Sequence, residues 1–496
     1  MAAINDQLKN DEPEQSLDPA DWQQFRALGH RALDDLIDYL QGVAERPVWK
    51  PLPAEAKSLF AEPLSESGLG DEAVYEQVRQ HVLPYPTGNI HPRFWSWVGG
   101  TGTPTQLIAD MVMSTMNSCG LGFDETASSH VELQLLNWLK ELLDYPRTAS
   151  GLLVSGGSMA NLVGLAVART AQAGYNVRDS GVDTHDHPRL MYYASSEAHS
   201  CIRKAIEILG LGEQSLHKVP VLDDFSIDTV ALRAAIAADR RAGHQPACIV
   251  ATTGTVNTGA SDFLPELAEI AREEKLWLHV DGAFGACVRL SPRYRELAAG
   301  LEHADSVAFD LHKWLYVQYN CGAVFVRGDK LHKDTFSVIP SYLRKLERGL
   351  ASGPVNFSEY GVQLSRSFHA LRAWMALRSA GSRRYGEQIE QNVTQARYLS
   401  ELVDRHPELE RLAPTAMNIV NFRYGRKNLS EARLNDLNAE ILMRLHEDGI
   451  AAPSATELNG RFSIRVANTN HRSRREDFDA LIDGVVSLGR ELAGRG

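Results

Sequence analysis

Residues 276–286 read LWLHVDGAFGA, an apolar run from Leu276 to Val280 closed by Asp281 and followed by the small residues Gly282, Ala283 and Gly285. A short apolar run bounded in this way fits a strand buried on both faces, and its neighbours decide the matter. Working outward, Leu152 to Val154 precedes a helical stretch at Met159 to Ala171, Leu190 to Ala194 precedes His199 to Leu209, and Ile249 to Ala251 precedes Leu264 to Lys275. Val307 to Phe309 and Ala323 to Val326 extend the set downstream. Strands alternating with helices predict an α/β fold with a mostly parallel central sheet covered on both faces. Ligands in such sheets sit beyond the carboxyl ends of the strands, so the residues just after each run are the candidates for chemistry.

The flanks read differently. After about residue 380 the chain turns helical and charged, then shows two strand-like runs, Asn418 to Phe422 and Arg461 to Ala467, the pattern of a smaller α+β domain. Upstream, residues 1 to about 17 are polar and acidic and are expected to be disordered. Asp18-Pro19 then supplies a helix start, and Phe25, Leu28, Leu33, Leu36, Ile37 and Leu40 fall on one face. That face needs a partner surface, on its own domain or across a dimer; the pattern alone leaves both open. The expected division is 1–105, an N-terminal helical segment; 106–378, a large α/β domain; and 379–496, a small α+β domain.

Composition narrows the function classes. The 496-residue chain is 44% hydrophobic and 23% charged, with a formal net charge of −12, so its long-range field repels nucleic acid and anionic membranes. Five scattered cysteines with no C-x-x-C pair suggest neither a disulfide framework nor a zinc site. Without a basic and apolar leader, or about 18 consecutive apolar residues, the reading is cytoplasmic and non-membrane. Asp183, His185, Asp186 and His187 look metal-like by composition, yet their surroundings read as a polar surface loop, and no metal is expected.

Four strand ends carry chemistry. Lys313, in His312-Lys313-Trp314, follows the run Ser306 to Phe309; if partly desolvated, its ammonium pKa would fall and leave an amine able to attack an aldehyde. Asp281 needs a cation or strong donors to stay ionised when buried, and a pyridinium nitrogen is such a cation; a plain helix N-cap is the competing reading. Ala283 beside it is small enough to let a flat ring approach. Ser155-Gly156-Gly157-Ser158 opens a helix whose first N–H groups favour a phosphate, without matching a nucleotide-binding P-loop. His199, at the start of another helix, can stack on a ring, move a proton, or merely cap.

Taken with His91-Pro92-Arg93-Phe94, Glu197-Ala198-His199-Ser200 and ADSVAFDLHKWLYVQYNCG (residues 304–322), these motifs resemble the group II pyridoxal 5′-phosphate (PLP) dependent decarboxylases over roughly residues 20 to 480. The resemblance implies a PLP fold-type I (aspartate-aminotransferase-like) enzyme and a homodimer with active sites at the interface. It implies Lys313 as the Schiff-base lysine, Asp281 as partner of the ring nitrogen and His199 as the stacking ring. It also implies Gly157, Ser158, Thr255, Ala283 and His312 as cofactor contacts, with Trp97, Gly100 and Arg465 around the substrate. Tyr342 resembles the mobile-loop tyrosine that protonates the product carbon, with Gly349 and Gly353 as hinge glycines.

The implied reaction is decarboxylation of an L-amino acid to CO2 and an amine. Trp95-Ser96-Trp97 stands where glutamate-type relatives carry asparagine and glutamine, which favours an aromatic or other uncharged side chain. Val98-Gly99-Gly100-Thr101 and Val256 depart from the aromatic enzymes, so the pocket is expected to be smaller or more polar than an indole needs. An aldehyde synthase or an acidic amino-acid decarboxylase is the alternative; a tyrosine at position 342 favours the amine.

Overall fold

The apolar runs become strands β1 (Ser150–Val154), β2 (Leu190–Ser195), β3 (Leu216–Val219), β4 (Gln245–Thr252), β5 (Trp277–Asp281), β6 (Ser306–Asp310) and β7 (Gly322–Val326). A computed structural model describes residues 16–340, 344–426 and 428–494. The polar leader up to residue 15 and Tyr342 therefore lie outside the described residues. One seven-stranded sheet has the order β1-β7-β6-β5-β4-β2-β3, parallel except for β7, which runs antiparallel to both neighbours. Every residue of β2, β5, β6 and β7 is buried, as expected for strands covered on both faces. Helices Gly157–Gln172, Thr229–Arg241 and Leu264–Glu274 supply the cover. Asp228 starts the second by accepting from the N–H groups of Val230 and Ala231 at 2.9 and 3.0 Å.

Four further strands, β8 (Leu409–Arg411), β9 (Ile419–Tyr424), β10 (Ser454–Leu458) and β11 (Arg461–Ala467), form an antiparallel sheet in the order β10-β11-β9-β8. Two of these were expected; β8 is three residues long and β10 carries polar residues, so neither reads as an apolar run. Helices Glu431–Glu447 and Arg475–Gly494 close this sheet over a second core that includes Phe422, Ile441, Leu445 and Phe478, all fully buried.

Residues 16–46 and 51–86 form a separate compact unit from residues 47–50 and 87–494. Its first helix starts at Trp22, not at Asp18: Asp21 accepts from the N–H groups of Gln23 and Gln24 at 2.8 and 3.0 Å, which makes it the cap. Tyr75 donates to Asp35 at 2.9 Å, tying helix Asp71–Gln77 to helix Trp22–Gln41. No residue of Trp22–Gln41 is buried, and Phe25 and Ile37 remain exposed. Among the described residues no helix is long and apolar enough to cross a membrane.

Candidate active site

The loops after β1, β2, β4, β5 and β6 meet at one cavity of about 650 Å³, and the small sheet adds Ser454, Ala455 and Arg465 to its wall. The parallel strands explain the convergence: each delivers its carboxyl-terminal residue to the same edge. Of the sequence-based candidates, Trp97, Gly157, Ser158, His199, Asp281, Ala283, His312, Lys313 and Arg465 all line this cavity.

Lys313 reaches Asp310 with Nζ to Oδ2 at 3.0 Å. Asp310 ends β6 as Asp281 ends β5 but is not among the sequence-based candidates, because nothing in the local pattern shows that it faces Lys313. Burial lowers the Lys313 pKa, as expected, but the Asp310 and Asp281 carboxylates outweigh burial and leave it above the ordinary lysine value. The expected free amine is thus an ammonium held by two anions. Asp281 is 3% exposed, and its Oδ1 accepts from the Ala283 N–H at 3.1 Å. Burial pushes its carboxyl up; Lys313, the Asn161 amide, His199 and the Ala283 N–H pull against that without cancelling it. A carboxylate in that state gains from a cation brought against it.

Gly156 and Gly157 open helix Gly157–Gln172 with no side-chain cap, so its first N–H groups face the cavity edge. A Cβ on Gly157 would lie 2.9 Å from Asp310 Oδ2, and one on Gly156 3.0 Å from His312 Cε1. A side chain at either position would have to displace Asp310 or His312. Ser158 is exposed toward the opening, and His312 Nδ1 lies 2.9 Å from the Cys321 carbonyl, which fixes its ring. This turn could hold a phosphate.

His199 caps helix Ser200–Ile208, its Nδ1 accepting from the Cys201 N–H at 3.2 Å. Capping and lining are therefore not alternatives: the cap leaves the proton on Nε2 and the ring on the cavity wall. Burial, reinforced by Lys313, keeps its pKa below the ordinary histidine value against the pull of Asp281. Arg465 is 3% exposed; Nη1 donates to the Trp97 carbonyl at 2.7 Å and Nε to the Asn257 carbonyl at 3.2 Å, while buried Nη2 has no hydrogen-bond partner among the described residues. Desolvation lowers its pKa to about 10. A carboxylate entering the cavity would satisfy that guanidinium.

Asn257, absent from the sequence reading, braces this corner. It donates to Glu197 at 2.9 Å and accepts from Thr456 at 2.8 Å, and its carbonyl takes Asn421 at 3.0 Å. An isolated asparagine in a loop gives no sequence signal.

Two expected contacts fall elsewhere. Thr255 is fully buried in its own turn, with Oγ1 3.0 Å from Thr258 Oγ1 and accepting from the Ala260 N–H at 3.1 Å; Val256 and Asn257 face the cavity instead. Gly100 lies beneath the lysine loop, where a Cβ would sit 1.7 Å from the His312 carbonyl oxygen. Trp95 is core, stacked on Phe478 at 4.7 Å, whereas Trp97 is 63% exposed on the cavity rim. Gly349 is open at φ +91°, as a hinge requires, but Gly353 is packed against the Asp124 backbone. His187 stacks on Tyr175 at 3.8 Å, and no described group of three or more His, Cys, Asp or Glu is placed to hold a metal ion.

A family model described as the pyridoxal-dependent decarboxylase conserved domain matches residues 53–425. An aromatic-L-amino-acid decarboxylase from Bacillus atrophaeus is 30% identical over 95% of this chain and 96% of its own. A phenylacetaldehyde synthase from Petunia hybrida is 27% identical over 91% of this chain and 90% of its own. A crystal structure of Oryza sativa TDC with PLP and tryptamine superposes with a TM-score of 0.88, at 26% identity, covering 96% of this chain and all of that one. The fold is accordingly the fold-type I architecture that the motifs implied.

Proposed function

This chain belongs to the pyridoxal-dependent decarboxylase family, with PLP as its cofactor, and we propose that it releases CO2 and the amine from an L-amino acid with an aromatic or other uncharged side chain. The observation that carries the reading is the meeting of the Lys313 side chain, the buried Asp281 carboxylate and the unsatisfied Arg465 Nη2 around one cavity.

The residues present fit the cofactor. Lys313 would hold its aldehyde carbon, Asp281 its ring nitrogen, and Gly157, Ser158 and His312 its phosphate, with Ala283 and His199 against the ring. When bound, PLP supplies a ring that draws electrons from the bond being broken. Arg465 orients the substrate carboxylate through the guanidinium nitrogen that lacks a partner. Trp97, Val98, Met159 and Phe284 limit water around the reacting carbon, which strengthens every charge interaction inside. Asp310 holds the Lys313 ammonium until that nitrogen is used. The proton that replaces CO2 at Cα is assigned to Tyr342, on its resemblance to the family's loop tyrosine.

The uncharged preference is supported by the absence of an unpaired lysine or second arginine from the described lining; Lys313 is engaged by Asp310 and Arg465 serves the carboxylate. The division into segments 1–105, 106–378 and 379–496 is retained, with the first as a dimerisation element whose exposed Phe25 and Ile37 meet a second copy in a homodimer. The five free cysteines, four of them buried, fit a cytoplasmic setting. The test is a panel of L-amino acids with CO2, amine and oxygen measured together. Equal CO2 and amine without oxygen uptake is expected; aldehyde with oxygen uptake would replace this reading by an aldehyde synthase.

A further inference from the structure

Behind Asp281 runs a chain of buried polar side chains that the reaction as described does not use. The Trp277 indole N–H donates to Ser306 Oγ at 2.8 Å, and Ser306 Oγ lies 2.7 Å from His279 Nδ1. His279 Nε2 lies 2.7 Å from Asn161 Oδ1, and the Asn161 amide, which donates to the Gly157 carbonyl at 2.9 Å and reaches Cys201 Sγ at 3.4 Å, also acts on the Asp281 carboxylate as a donor that lowers its pKa. Asn161, His279 and Ser306 are fully buried and Trp277 is 6% exposed. Residues from two neighbouring strands and one helix thus line up behind Asp281.

The polarity of the chain is fixed from its Asp281 end. A carboxylate can only accept, and so can the Gly157 carbonyl that takes the Asn161 amide at 2.9 Å. Both turn Nδ2 toward Asp281 and Oδ1 toward His279. Oδ1 can only accept, so His279 Nε2 carries the proton of the neutral ring and Nδ1 accepts from Ser306. The Ser306 hydroxyl, its hydrogen spent on His279, accepts in turn from the Trp277 indole N–H. A Cβ on Gly164 would lie 2.5 Å from His279 Cε1, so a glycine in helix Gly157–Gln172 makes room for the ring. Burial drives the His279 pKa down to about 3, which keeps the ring neutral and the direction unchanged.

We propose that Trp277, Ser306, His279 and Asn161 are positioning residues, a one-way donor chain that aims the Asp281 carboxylate and keeps it ionised toward the cofactor ring nitrogen. Every link donates toward Asp281, and aligned hydrogen bonds in a dry interior polarise one another. Asparagine at 161 does what a second carboxylate or an apolar residue there would undo. The inference rests on the PLP-dependent reading above.

The experiment loads wild type, Asn161→Leu, Ser306→Ala and His279→Gln with PLP labelled with nitrogen-15 in the ring and records the ring-nitrogen chemical shift together with kcat and KM. Wild type should show a protonated nitrogen. Asn161→Leu should move the signal toward the unprotonated position and lower kcat by about tenfold to a hundredfold with little change in KM. Ser306→Ala should move both in the same direction by less. His279→Gln, which returns a donor at the Nε2 position, should stay close to wild type. A folded, cofactor-loaded Asn161→Leu protein with the wild-type signal and kcat would overturn the proposal. If that variant does not fold, a wild-type signal and kcat in Ser306→Ala would do so. Failure of wild type itself to bind PLP would overturn the functional reading and the donor chain with it.

Discussion

Asp281 and Asp310 end adjacent parallel strands, β5 and β6, and both are almost wholly buried, yet the groups behind them differ. Asp281 is met by the Ala283 N–H and by the Asn161 amide at the end of a donor chain. Asp310 gives one oxygen to Lys313 at 3.0 Å, while its Oδ1 has no partner among the described residues. The same residue in the same strand position therefore takes two roles: donors that cannot move hold Asp281 as a fixed anion, whereas Asp310 depends on a lysine that must leave it. Buried carboxylates are assigned by their partners, not by their place in the sheet.

The contrast can be broken in graded ways. Replacing the shared lysine, Lys313→Ala, should lower kcat on the order of a thousandfold or more in a steady-state decarboxylation assay, since among the described residues no other lysine lines the cavity. Asp281→Asn removes the fixed anion and should lower kcat by about a hundredfold or more while PLP still binds, as seen in its visible absorbance. Arg465→Ala tests the small sheet: KM should rise by about tenfold to a hundredfold, the loss of a charge-assisted hydrogen bond, with kcat changed far less.

Asp310→Asn should act in the opposite sense to Asp281→Asn on one property. Losing the Asp310 charge lowers the Lys313 pKa, and each unit of fall gives about tenfold more free amine at neutral pH. PLP uptake, followed by the visible band at fixed pH, should quicken by several-fold up to about tenfold; slower uptake would show that Asp310 does more than hold the lysine.

The smallest expected effect concerns stability. Burial holds His279, His332 and His471 at about 3, about 4 and about 4, all below the unfolded value. The unfolded chain binds more protons below about pH 6.5, so this contribution is complete above that value and is lost as pH falls toward about 4. Urea midpoints should drop between about pH 7.5 and about pH 5.5, with a slope of at most about 1.4 kcal/mol per pH unit per histidine. A flat profile would mean that these rings are not neutral in the fold.

The sheet was legible because its central strands are nearly continuous apolar runs, and Lys313, Asp281 and His199 because each follows one. The edge strand β3 was not, since His217 and Lys218 break its pattern. Asn161 and His279 stand inside motifs read for phosphate binding and for Asp281, but the bond joining them spans 118 positions, and no local spacing encodes it. The Lys313 pKa was misjudged for a related reason: burial can be inferred from a strand end, whereas a carboxylate 3.0 Å away cannot.

Lys313, paired with Asp310 and in the field of Asp281, is the residue assigned to carry PLP. Borohydride reduction of the PLP-loaded protein followed by peptide mass spectrometry tests it directly. A single phosphopyridoxyl adduct is expected on the peptide containing Lys313 and none in Lys313→Ala; an adduct on another lysine, or no adduct in a protein that decarboxylates amino acids, would show that Lys313 is not the carrier.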